Sequence, residues 1–176
     1  VVHNETSTGV MNRMDEIAAV LRKYPDVAFL VDAVSSMAGV RIPVDEWRID
    51  VCLAGLQKAF ALPAGLTVAA VSSRALEKAK TVKNRGYYFD FLDMLKYHER
   101  GQTPATPAIP QIQALDAQLD DILAETPKGR FERHEALARI VRDWARRHFA
   151  LFSEEGYESP TLTCIANTRG ISVSAL

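Results

Sequence analysis

Val27-Ala28-Phe29-Leu30-Val31-Asp32-Ala33-Val34-Ser35-Ser36 and Ile49-Asp50-Val51-Cys52-Leu53-Ala54-Gly55-Leu56-Gln57-Lys58 decide the fold of this chain. Each is an apolar run with an ionisable side chain just past its end. Continuous apolar runs suit parallel strands covered on both faces. Before the first run, Met14, Ile17, Ala18 and Leu21 recur at helical spacing within residues 12–24, and Tyr24-Pro25 ends that segment. After the second, Leu66-Thr67-Val68-Ala69-Ala70-Val71 reads as a further strand. Strands and helices in this succession point to a doubly wound α/β layer. Residues 55–65, with Pro63 and Gly65, are short for a parallel crossover, which takes roughly a dozen residues or more. The 66–71 strand is therefore predicted to be antiparallel to its neighbours.

Farther along, residues 73–80 read as a short helix, and 82–107 as a long irregular stretch carrying Gly86, Tyr87, Tyr88, Phe89 and Gly101. A connection of that length is functional or disordered, and its aromatics argue for order. Ile112, Leu115, Leu119, Ile122 and Leu123 mark one amphipathic helix. Leu137, Ile140, Val141, Trp144, Leu151 and Phe152 mark a second, with Thr126-Pro127-Lys128-Gly129 between them. Leu162-Thr163-Cys164-Ile165-Ala166 reads as a strand. The cluster Lys128, Arg130, Arg133, Arg139, Arg142, Arg146 and Arg147, interspersed with Glu132, Glu135 and Asp143, reads as a solvated helix face. His3, His98, His134 and His148 show no ligand spacing.

The 176 residues are 48% hydrophobic and 24% charged, the balance of an ordinary globular protein. A net charge of −1 gives no electrostatic reason to expect a nucleic acid or an acidic membrane as partner. No run of about 18 apolar residues is present, so no membrane span is predicted. Cys52 and Cys164 lack metal-ligand spacing, and Cys52 reads as a small buried hydrophobe, which suits a reducing cytoplasm. The chain starts at Val1 and stops at Leu176 within an amphipathic segment, so it reads as part of a longer protein.

Alone, Asp32 would be a cap or loop residue and Lys58 a solvated lysine. Together they are a pair suited to holding pyridoxal phosphate, the acid on the ring nitrogen and the lysine as a Schiff base. The surrounding segments strengthen this reading. His3-Asn4-Glu5-Thr6-Ser7-Thr8-Gly9-Val10 lies ahead, Gly55-Leu56-Gln57-Lys58 with Pro63-Ala64-Gly65 surrounds the lysine, and Gln102-Thr103-Pro104-Ala105-Thr106-Pro107 follows. In this order they resemble the class V aminotransferases of fold type I, nearest to the alanine/serine–glyoxylate aminotransferases and more distantly phosphoserine aminotransferase.

The resemblance implies part of a large domain with a mostly parallel sheet (residues 1–107), then part of an α+β small C-terminal domain (residues 108–176). It implies pyridoxal phosphate as cofactor and transfer of an amino group from alanine or serine to glyoxylate or pyruvate. Lys58 is implied as the Schiff-base lysine and later general base. Asp32 would favour the protonated ring nitrogen, with Val34 on the same side of the strand against one ring face. Thr6 would meet the phenolic oxygen, and Gln57 would lie near the phosphate. Gln102, where phosphoserine aminotransferase has Asn, and Thr103 would cross to the neighbouring subunit of a homodimer and help hold the phosphate. The family's phosphate cup and its substrate-carboxylate arginine have no candidate between Val1 and Leu176. Two other readings compete: a non-catalytic fragment or interaction module, and a cysteine desulfurase-like lyase. The latter family carries His where Gln57 stands and a mobile nucleophilic cysteine, whereas Cys164 falls in a predicted strand.

Overall fold

A computed structural model describes residues 1–175. In chain order the elements are β1 (Asn4–Glu5), β2 (Val10–Met11), α1 (Met14–Leu21), β3 (Leu30–Asp32), β4 (Val51–Gly55) and β5 (Thr67–Val71). There follow α2 (Ser73–Lys80), α3 (Phe91–His98), α4 (Ile109–Glu125), α5 (Pro127–His148), β6 (Ala150–Leu151) and β7 (Ile165–Ala166). The architecture is mixed α/β, as the alternation of runs predicts.

β3 pairs parallel with β4, Leu30 opposite Val51 and Asp32 opposite Leu53. β5 pairs antiparallel with β4, from Val51 opposite Val71 to Gly55 opposite Thr67. The short connection does reverse the chain. On the far side of β3, the Asp32 N–H donates to the Val1 carbonyl and the His3 N–H to the Asp32 carbonyl, both at 2.9 Å, and Val2 bridges Asp32 in parallel. Three neighbouring stretches of chain therefore run in one direction and end at one edge.

β3 is shorter than its apolar run. The Phe29 N–H donates to the buried Asp50 carboxylate (2.7 Å) in place of a ladder partner, so regular pairing starts only at Leu30. Met14 and Ala18 of α1 pack with Phe29, Val31, Ala33, Ile49 and Cys52, and Cys52 is fully buried as expected. A second cluster joins Ala54, Leu56 and Phe60 to Ile122 of α4, fixing the segment after β4 against that helix.

The later half departs from expectation in several places. Residues 82–107 contain α3, whose first turn is capped by the Asp90 carboxylate accepting from the Leu92 N–H at 3.0 Å. Of residues 126–129, Thr126 alone separates the two helices, and Pro127–Gly129 already belong to α5. The Thr126 hydroxyl caps Gly129 at 3.1 Å and Pro127 opens α5, where a missing N–H costs nothing. The 162–166 strand contracts to Ile165–Ala166, leaving Cys164 just before it.

The basic face is not uniformly solvated: Arg130 and Arg142 are buried together with Ala138 and Ala145. Of the expected apolar stripe, Leu137, Ile140, Val141 and Trp144 are exposed in this chain, and Leu151 and Phe152 lie past the end of the helix, Leu151 in β6. Small alanines let α5 approach closely, and each buried guanidinium finds carbonyl and carboxylate acceptors: Arg142 meets Glu135 at 2.5 Å and the Glu158 carbonyl at 3.5 Å. No helix among the described residues is long and apolar enough to cross a membrane.

Burial pushes the Asp50 carboxyl up, but hydrogen bonds from Arg74 (Nε at 2.7 Å), the Phe29 N–H and the Ser72 hydroxyl, with the Arg74 charge, outweigh it and hold the group below the usual carboxylate range. Its contribution to stability is therefore complete above the unfolded value of about 3.9 and is lost as pH falls through the folded one. Asp50→Asn is expected to cost about 1–3 kcal/mol near neutral pH. Urea midpoints should show the gap to wild type closing in acid.

Candidate active site

Because β3 and β4 are parallel, the segments that leave their carboxyl ends emerge on the same side. Ligands of α/β proteins bind in the crevice outside such ends. A cavity of about 430 Å³ opens there, with Thr6, Ser35, Lys58, Arg130, His134 and Thr161 among its lining residues.

A hydrogen-bond network shapes one wall. The Thr6 and Ser35 hydroxyls lie 2.6 Å apart. Asn4, 4% exposed, directs its amide nitrogen at the Ser35 carbonyl (3.1 Å), the Ser159 hydroxyl (2.7 Å) and the Thr161 hydroxyl (2.8 Å). Thr161 in turn donates to the Ser35 carbonyl. Gly39 makes room for this approach, since a Cβ there would stand 2.4 Å from Thr161 Cγ2. The turn after β3, the chain start and the 159–161 segment are thus joined through one amide. Neighbouring His3 is buried edge-on to Trp47, and desolvation pushes its pKa down to about 4, so it adds no charge near neutral pH.

The structure brings Thr6 and Lys58 onto this one cavity. Asp32 is exposed at the end of β3, at the same sheet edge but outside the cavity lining, and its Oδ1 accepts from the Val34 N–H at 2.9 Å. Its charge reaches the far side of the strand pair: burial first, and then Asp32, push the Cys52 thiol up to about 11. Val34 lies in the turn that this Asp32 contact closes, not on the strand, so the two-residue strand period does not set its direction. Gln57 is exposed and folds back over Gly55, where a Cβ would meet Gln57 Oε1 at 2.5 Å. Gln102 and Thr103 sit in the exposed loop after α3, outside the cavity lining; the Thr103 hydroxyl donates to the Ala105 carbonyl at 2.7 Å.

Arg130 and His134, which carried no assigned role in the sequence, belong to this site. The buried Arg130 guanidinium donates from Nε to the Ala38 carbonyl (2.8 Å) and from Nη2 to the Ala59 carbonyl (2.6 Å), and its Nη1 lies 3.2 Å from Glu125. Arg133 also pairs with Glu125, and its hydrogen bonds are the largest cause that draws that carboxyl down to about 2. His134 Nδ1 lies 2.8 Å from the Arg130 carbonyl. The signal was present in the spacing: Arg130, His134, Ala138 and Arg142 follow one another at i, i+4 along α5.

Comparison with known proteins finds relatives over nearly the whole chain. The family model described as aminotransferase class-V matches residues 1–146. An uncharacterized aminotransferase of Methanocaldococcus jannaschii is 41% identical over 99% of this chain and 46% of its own length. Serine–glyoxylate aminotransferase of Arabidopsis thaliana is 41% identical over 81% of this chain and 36% of its own. The crystal structure of alanine–glyoxylate aminotransferase from Nostoc sp. superposes with a TM-score of 0.89 at 29% identity, covering 99% of this chain and 47% of that one. The chain spans less than half the length of these relatives.

Asn4→Ala should cost about 1–3 kcal/mol, since it removes a donor from hydroxyl and carbonyl partners in two segments, Ser35 and 159–161. Thermal unfolding measures that loss. A variant within a few tenths of a kcal/mol of wild type would remove Asn4 from the network.

Proposed function

The chain belongs to the aminotransferase class-V family, and from that premise we propose that the whole protein transfers an amino group from alanine or serine to a 2-oxo acid, glyoxylate or pyruvate, on pyridoxal phosphate. The observation that carries this reading is the shared edge: Lys58 and Thr6 on one cavity, with Asp32 ending the adjacent parallel strand. The glyoxylate in the name of the Arabidopsis relative supports the acceptor. The competing readings, a desulfurase-like lyase or a non-catalytic module, are not favoured by a set of aminotransferase relatives.

The residues present fit the cofactor's donor and acceptor pattern. An amine and a hydroxyl face the cavity, and an exposed carboxylate stands at the same edge with one oxygen fixed by Val34. When bound, pyridoxal phosphate supplies the electron sink for a carbanion at the substrate α-carbon. Lys58 Nζ would hold the cofactor through its aldehyde carbon and, as general base, would take the substrate α-proton and return it. The Asp32 carboxylate favours the cationic ring nitrogen, since an opposite charge nearby stabilises the protonated form. Thr6, oriented by Ser35, would offer its hydroxyl to the phenolic oxygen, Val34 would contact a ring face and Gln57 would help hold the phosphate. Gln102 and Thr103, exposed and outside the cavity, suit a phosphate contact across a homodimer interface. Within this reading residues 1–107 are the later part of the cofactor domain and 108–176 begin the small domain. Cys52 and Cys164 form no disulfide, which suits the cytoplasm.

In the full-length protein Lys58→Ala should lower kcat for alanine or serine with glyoxylate by at least about a thousandfold. Asp32→Ala should lower it by about 100- to 1000-fold. Both are read in a coupled assay on enzyme whose circular dichroism matches wild type. Substantial turnover in Lys58→Ala contradicts the proposal.

A further inference from the structure

Arg130 spends its guanidinium in an unusual way for a residue in a basic helix. Its side chain is 7% exposed, and two of its nitrogens serve backbone carbonyls on two different loops. Ala38 lies in the turn that follows Asp32 and carries Ser35; it is held at φ 68°, a left-handed conformation that a non-glycine residue adopts only under tertiary constraint. Ala59 immediately follows Lys58, and Ala61, two residues on, is also left-handed at φ 59°. Each loop thus departs from relaxed backbone geometry close to a proposed functional side chain. One planar fork from α5 ties the two loops together, and Glu125 at the end of α4 holds the remaining nitrogen.

We propose that Arg130 is a positioning residue for the transamination: it locks the Lys58 loop to the turn that directly follows Asp32, so that amine and carboxylate keep a fixed separation. This rests on the function proposed above. A lysine cannot take its place. An ammonium on a flexible stem keeps the charge and can still pair with Glu125, but it lacks the rigid fork that reaches both carbonyls. Arg130→Lys therefore separates the bridge from the charge, and Arg130→Met removes both.

Hydrogen exchange in the full-length apoprotein reads the bridge without any cofactor. In Arg130→Lys, amides in segments 34–40 and 57–62 should exchange together about tenfold faster or more, with the β4–β5 ladder unchanged. In the loaded enzyme the same variant should lose about a hundredfold in kcat with KM nearly unaltered, as expected when reacting groups are misplaced rather than substrate binding weakened. Arg130→Met should loosen the same two segments. Exchange at wild-type rates in Arg130→Lys, exchange that rises uniformly across the protein, or an unchanged kcat would each overturn the inference. Wild-type protein that neither binds pyridoxal phosphate nor transaminates would instead sink the proposed function. An active wild type with a silent Arg130→Lys sinks only the positioning role.

Discussion

The parallel pairing of β3 with β4 governs where everything else can act. With Asp32 opposite Leu53, the chain leaves both strands on the same side, and the antiparallel return of β5 closes the sheet without a helix between. The chain start adds a third parallel stretch through the Val1, Asp32 and His3 backbone bonds, which brings Thr6 to that edge as well. Slip this register by one residue and every side chain on the strand changes face. The buried Asp50 opposes such a slip, because its carboxylate holds the Phe29 N–H just before the ladder begins.

A sheet edge alone does not make a site, since loops leaving it are free to diverge. Here they are tied by polar contacts from later in the chain. Asn4 joins the chain start to Ser35 and to the 159–161 segment, and Arg130 joins the turn after β3 to the lysine loop. These groups are buried, so each hydrogen bond left unmade would cost more than one made gains. The Arg130 contacts also fasten α5 to the two loops that leave the sheet.

The sheet and its catalytic candidates were legible because their signals are local. Apolar runs marked β3, β4 and β5, the length of the 55–65 connection set the direction of β5, and small residues beside Lys58 marked a turn. α5 was misread because its pattern has two answers. Leu137, Ile140 and Trp144 form the obvious apolar stripe, yet the buried face is Arg130, Ala138, Arg142 and Ala145. A guanidinium becomes a core group only when carbonyls such as those of Ala38 and Ala59 converge on it, and that convergence exists only in the tertiary fold. α3 escaped notice because its eight residues, started by the Asp90 cap, stand between the turn signals at Gly86 and Gly101.

The proposed function requires one sheet edge to present Lys58, Asp32 and Thr6 to a single ligand. A crystal structure of the full-length protein grown with pyridoxal phosphate tests this most directly. Continuous density is expected from Lys58 Nζ to the cofactor, with the Asp32 carboxylate at the ring nitrogen and the Thr6 hydroxyl at the phenolic oxygen. Cofactor bound to another lysine, or seated with Asp32 turned away from the ring, would contradict it.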